Sequence, residues 1–151
     1  MTAPAVTGQQ RRLASHGALM LLLGMIYGVY VALVMTEQAP GEPEMALGAH
    51  LNALLGSFWL LGMGWSLQFV VLSPRLLRLA VGLTLVGAWS NWILSALKAV
   101  SGDLAISFTG AASNDVLFGL RTILVIVPCI VGPAIWVWGL RTPRGESSDS
   151  P

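Results

Sequence analysis

Charge is what this sequence has least of. Only 10% of its 151 residues are Asp, Glu, Lys or Arg, against 55% apolar residues, and the mean hydropathy is +0.74. A soluble domain carries about a quarter charged residues, so this chain has too few to cover a water-facing surface. Eight basic residues against seven acidic ones leave a formal net charge of +1. That balance excludes the basic excess of a nucleic-acid binder. One cysteine, Cys129, excludes a disulfide scaffold, and no C-x-x-C-H segment is present to attach a haem covalently. The apolar excess itself excludes intrinsic disorder.

What is present is four long apolar stretches, about residues 16–35, 46–72, 76–97 and 116–140. Each reaches the ~20 residues an α-helix needs to cross the hydrocarbon of a bilayer. Backbone groups in lipid must satisfy one another, and four strands are too few to close a barrel. The expected fold is therefore all-α, an integral membrane four-helix bundle. The first stretch is too long for a signal peptide and ends in Val34-Met35-Thr36 without a small-x-small cleavage site, so it reads as a retained helix. Residues 1–15 and 141–151 read as polar, loose tails around a single domain over 16–140.

Basic residues set the orientation. Arg11, Arg12, Arg75, Arg78, Arg141 and Arg144 flank one side, and only Lys98 borders the other, together with Glu37, Glu42, Glu44 and Asp103. The positive-inside rule then puts the N and C termini in the cytoplasm. The expected location is a bacterial-type inner membrane, crossed several times. The loop over 99–115 is the longest connection, suited equally to a flexible linker or a cover over a site.

Polar residues inside membrane helices are costly, which makes each a functional candidate. At ~100° per residue His50, Ser57, Gly64 and Gln68 share one face of helix 2, and Thr84, Gly87, Asn91 and Ser95 share one face of helix 3. His16, Tyr27 and Tyr30 fall on one side of helix 1. Such stripes serve either as packing seams or as the walls of a site. His16 follows Ser15, a candidate N-cap, at the edge of helix 1. His50 lies a turn inside helix 2 among small residues, as a structural histidine or an iron ligand would. A zinc site would need more ligands than two histidines and a cysteine provide. Arg121, two turns into helix 4, either snorkels or pairs with Asp115, or meets an anion such as a cofactor carboxylate. Trp89 and Trp92 flank Asn91 as packing or as a pocket wall, and Trp136 and Trp138 read as interfacial anchors. Pro128 and Pro133 should bend helix 4.

The order Arg-Leu-Ala-Ser-His16-Gly-Ala-Leu-Met, Pro-Glu-Met-Ala-Leu-Gly-Ala-His50-Leu, Leu72-Ser-Pro-Arg75 and Trp89-Ser-Asn91-Trp92 resembles the small tetraspan isomerases comprising hydroxylaminobenzene mutase and styrene oxide isomerase. The resemblance implies a non-covalent haem b acting as a Lewis acid, with His50 as its iron ligand and Arg121 and Trp89 as further cofactor contacts. It implies a redox-neutral rearrangement of a small aromatic substrate inside the lipid bilayer, with Asn91 as the matching helix-3 asparagine; Asn52 and Ser95, polar residues of this chain's own, complete the expected catalytic set. It also implies a homo-oligomer, three copies being one candidate size, and no nucleic-acid partner.

Two departures bear on the substrate. Where the family carries an asparagine six residues after the histidine, this chain has Gly56, with an asparagine at Asn52 instead. Where the styrene oxide branch has a tyrosine four residues after its helix-3 asparagine, this chain has Ser95. The second departure favours an aryl hydroxylamine over an epoxide. A haem-binding assembly subunit and a small membrane carrier are the competing classes, and the lack of an acidic residue in any apolar core counts against a proton-coupled carrier.

Overall fold

The computed structural model describes residues 4–142. Four helices are long and apolar enough to cross a membrane, spanning Gly8–Met35, Pro43–Phe69, Pro74–Ser101 and Ala112–Arg141, and no strand occurs among the described residues. Their regular helices are α1 (Pro4–Met35), α2 (Pro43–Ser66), α3 (Pro74–Ser101), α4 (Ala112–Arg121) and α5 (Val127–Arg141). A fourfold crossing brings both ends of the chain to one side, the terminal side, and the 36–42 and 102–111 connections to the other, the loop side.

The first helix starts twelve residues before His16, so the 4–15 part of the expected loose tail is helical. Pro4 pre-sets the first turn, and the Gln9-Gln10-Arg11-Arg12-Leu13 run contains only good helix formers. Ser15 is consequently an interior residue and caps nothing. The expected tail over 143–151 lies outside the described residues.

Helix 2 ends earlier than its apolar run. After Ser66 comes one 3₁₀ turn, Leu67–Phe69, and then extended chain. Pro74 explains the stop, because a residue before proline is driven out of the helical region, and Ser73 is extended at ψ 152°. Ser73 then caps α3 by accepting from the Leu76 amide at 3.4 Å, with Pro74 in the first helical position. The far end of α3 closes on Gly102, whose φ of 74° suits glycine and whose amide donates to the Lys98 carbonyl.

The fourth span is not one regular helix. Proline at 128 has no amide to donate, and the preceding backbone shifts register into a π-helical turn over Thr122–Ile126, with the Val127 amide bonding the Thr122 carbonyl. At the terminal side α5 is tied down twice. The Trp136 indole donates to the Ser66 hydroxyl at 3.1 Å, and the Val71 amide donates to the Gly139 carbonyl at 2.8 Å. Trp136 is thus buried inside the bundle, contrary to its expected role as an anchor, whereas Trp138 is 63% exposed on the outer face.

Small residues set the helix spacing. A Cβ on Gly24 would stand 2.8 Å from the Ala53 Cβ, and one on Gly17 would stand 2.9 Å from Leu61, so α1 and α2 meet along a glycine seam. The face of helix 2 that carries His50, Ser57 and Gly64 is this seam. The fourth span packs on α3 through Gly87 against Cys129 and Gly132 against Thr84. Because α2 and α5 meet different sides of α3, a groove is left between them. Leucine, isoleucine and valine residues such as Leu22, Val29, Ile123 and Ile130 face outward, as a lipid-facing surface requires.

Candidate functional site

The groove between α2, α3 and α5 has a volume of about 800 Å³ and is open along one side. Leu55, Phe58 and Trp59 of α2 form one wall, and Pro128, Cys129 and Pro133 of the fourth span form the other. Its floor is the polar face of α3. Asn91 lies in the groove, half-buried, and no described residue hydrogen-bonds its carboxamide. Asn52 reaches across to α3 and donates to the Ser95 hydroxyl at 2.9 Å. The three residues expected to form the catalytic set thus belong to one place: Asn91 and Asn52 line the groove, and Ser95 holds Asn52.

His50 leaves α2 on another side. Its Nδ1 lies 2.9 Å from the Gly24 carbonyl oxygen on α1, and a Cβ on Gly28 would come within 3.0 Å of its Cε1. A carbonyl can only accept, so Nδ1 carries the proton and Nε2 keeps its lone pair. No described residue occupies Nε2. His16 has the opposite arrangement. Its Nδ1 accepts from the Trp89 indole at 3.2 Å, which puts the proton of the neutral ring on Nε2. His16 stands on α1 eight residues before Gly24, which His50 contacts, roughly 12 Å of helix, so the two histidines do not converge.

Trp89 is committed to His16 and its ring lies tilted 5.7 Å from that of Trp92, a contact that continues through Tyr27 to Tyr30. The aromatic side expected on helix 1 is therefore the α1–α3 seam, and the structure does not bring Trp89 beside His50. Arg121 ends α4 near Lys98, close enough for the two cations to repel, and no carboxylate pairs with either among the described residues. Asp115 is engaged elsewhere, accepting from the Thr109 and Gly110 amides at 2.8 and 3.1 Å. With Asn114, which accepts from the Ala105 amide and donates to the Ser107 carbonyl, it gives the 102–111 loop a defined course.

Depth relates these parts. Counted from the loop-side ends of their helices, His50, Asn52, Ser95, Asn91 and Arg121 all lie roughly 10–15 Å in. They share a level but not a face. A single iron ligand needs no cluster, and no group of three metal-binding side chains occurs among the described residues. The donor set would suit a haem held through one histidine: an imidazole oriented by a backbone carbonyl through Nδ1, with no described residue on Nε2 and a glycine at 28 that leaves room for the ring.

Sequence periodicity missed two features, the pairing of Asn52 with Ser95 and the proximity of Lys98 to Arg121, and it placed Thr84 on the helix-3 stripe without singling it out. The Thr84 side chain is 3% exposed, lines the groove, and its hydroxyl has no hydrogen-bond partner. Its place in the helix-3 polar stripe was the available signal.

Hydroxylaminobenzene mutase HabB of Ectopseudomonas oleovorans is 26% identical over 149 residues, which cover 93% of this chain and 87% of that protein. No solved structure matches the chain. Residues 9–141 match the family described as styrene oxide isomerase, a stretch that takes in all four spans, the groove and both histidines. The chain belongs to the styrene oxide isomerase family and is a multi-pass membrane protein.

Proposed function

We propose that this protein is a membrane isomerase that rearranges a small aromatic substrate without net oxidation or reduction, and that it uses haem b held by His50. The observation that carries this reading is the hydrogen bond from His50 Nδ1 to the Gly24 carbonyl, which leaves Nε2 free as a ligand at the level of Asn52 and Asn91. A haem bound there would supply a Lewis-acidic iron with an open position, able to polarise an N–O or C–O bond. The Gly24 carbonyl holds the imidazole in the ligating tautomer and raises its basicity. Arg121 at that depth and Lys98 about two turns nearer the loop side, both without acidic partners among the described residues, suit the carboxylates of such a cofactor.

The groove residues handle the substrate. Leu55, Phe58 and Trp59 take the aromatic ring and keep water from a developing cation. Asn91 orients the reacting polar group through its unpaired carboxamide. Ser95 fixes the Asn52 side chain, so that Asn52 presents its carbonyl oxygen to the groove and its amide to α3. No cosubstrate is needed, because bonds are only exchanged within the substrate. The name of the relative, hydroxylaminobenzene mutase, and Ser95 in place of a tyrosine both favour an aryl hydroxylamine going to an aminophenol. Styrene oxide going to phenylacetaldehyde is the second substrate within the same family.

His50 and the groove occupy opposite faces of α2, so one protomer alone does not bring them together. We therefore propose a homo-oligomer in which His50 of one copy meets the groove of the next, a head-to-tail contact that closes into a ring such as a trimer. The basic bias supports termini in the cytoplasm and an inner-membrane location. The reading is tested by incubating haem-replete protein with phenylhydroxylamine under anaerobic conditions, with no added cofactor. Aminophenol should form at many turnovers per haem. A haem-bound protein that gives no product from either substrate would fit an assembly subunit instead.

A further inference from the structure

The connection between the third and fourth spans carries large apolar side chains that its own fold leaves uncovered. Leu104, Ile106 and Phe108 are 56, 65 and 71% exposed. Between the first two, Ala105 turns inward and is buried, with a φ of 50° that alanine keeps only where its surroundings hold it. The start of α4 does the holding. Asn114 accepts from the Ala105 amide at 2.9 Å and donates to the Ser107 carbonyl at 2.7 Å. Asp115 accepts from the Thr109 and Gly110 amides. A loop surrounded by water would lose free energy by holding three such side chains outward in a fixed arrangement.

Depth says what meets them. The fourth span has 30 residues, roughly 45 Å against ~30 Å of hydrocarbon, so about 7 Å at each end stands in the headgroup layer when the excess is shared equally. Phe118 lies six residues into α4, roughly 9 Å, which is close to the hydrocarbon boundary. The loop folds back to it. The Phe108 ring meets the Phe118 ring edge to face with centroids 4.7 Å apart, although Phe108 precedes the helix in the chain. Residues 104–111 carry no charge, so no ion has to leave water for this stretch to enter lipid. Irregular backbone is not stable in hydrocarbon. The chain itself therefore belongs at the headgroup level, with its apolar side chains dipping below it, as in other interfacial segments.

We propose that residues 104–108 are an interfacial anchor, in which Leu104, Ile106 and Phe108 insert into the acyl-chain boundary of the leaflet on the loop side. The partner is the phospholipid bilayer. Asn114 and Asp115 fix the loop in the shape that presents these side chains, and the anchor sets the height of the fourth span in the membrane. It is independent of what the groove binds.

The experiment uses full-length protein in a Cys129→Ser background, with Ile106→Cys or Phe108→Cys labelled by a nitrobenzoxadiazole fluorophore and reconstituted into phosphatidylcholine–phosphatidylglycerol vesicles. Both side chains are exposed, so neither replacement opens a hole in the core. Ile106 also reports if loss of the Phe108–Phe118 contact shifts the loop. Gln38→Cys, exposed on the other loop-side connection, is the water-facing reference. The labels at 106 and 108 should emit at shorter wavelength than the reference. They should lose fluorescence to lipids bearing a nitroxide near the top of the acyl chain and should resist aqueous iodide. Iodide quenching at both positions equal to that of the reference overturns the anchor. A label that neither quencher reaches overturns it too, because protein, such as a second copy of the chain, then covers the patch.

Discussion

His50 and Asn52 stand two residues apart on α2 and point to opposite faces, about 160° apart around the helix axis. His50 turns to Gly24 of α1 and Asn52 turns to Ser95 of α3. On the proposed function, a site that uses both draws them from different copies. His50→Ala and Asn91→Ala should each lose most activity alone. Co-expressed, they should recover activity, because random mixing in a head-to-tail ring builds about one intact site in four. Activity per haem in co-purified mixed oligomers is the measurement, and no recovery would mean that the site lies within one protomer.

The four spans were legible because lipid allows so few backbone solutions, and the His50 and Asn91 stripes followed from helical period alone. Which neighbour each stripe would face was not legible. Periodicity gives angles within a helix, whereas the partner of Asn52 depends on how glycines such as Gly24 and Gly87 set the spacing between helices. Helix ends failed where polarity and propensity disagreed. The segment before His16 is polar enough to read as tail, yet its Gln9–Ala14 run contains only good helix formers. Residues 70–73 are apolar enough to read as span yet are held extended ahead of Pro74. Trp136 was misread because its position near a helix end resembles that of an anchor, and only its bond to Ser66 reveals the buried side.

Gly28 leaves the space in which the His50 ring sits. A Cβ there would already stand 3.0 Å from Cε1, so Gly28→Val should push the ring off the Gly24 carbonyl. Loss of such an orienting contact typically costs a metal site 10–100-fold in affinity. Haem titration of apo-protein should register this weakening, while Gly48→Ala, where a Cβ meets nothing within 4 Å, should leave affinity unchanged.

Substrate choice should follow Ser95. Its hydroxyl is occupied by the Asn52 amide, and it is too short to reach a benzylic cation as a tyrosine would. Phenylhydroxylamine should therefore turn over faster than styrene oxide in side-by-side assays. Ser95→Ala should reduce turnover by about three- to tenfold, as Asn52 loses one hydrogen bond. Faster turnover of the epoxide would remove Ser95 as the discriminating position.

Orientation is open to chemical labelling in a Cys129→Ser background. Cysteines placed at Thr7 and Ser147 should react with an impermeant maleimide only from the cytoplasmic side, and one placed at Ser101 only from outside. Reaction of Thr7 and Ser147 positions from opposite sides would contradict an even number of crossings.

The ligand assignment is the centre of the account, and the two histidines provide its internal control. Their Nδ1 atoms have opposite partners, an acceptor for His50 and a donor for His16, so only His50 presents a free Nε2 lone pair. The decisive measurement is the visible absorption spectrum and haem-to-protein ratio of purified wild type, His50→Ala and His16→Ala. Wild type and His16→Ala should show a Soret band at near-stoichiometric haem, and His50→Ala should lose the band or shift it together with activity. Intact haem and full turnover in His50→Ala would contradict the account.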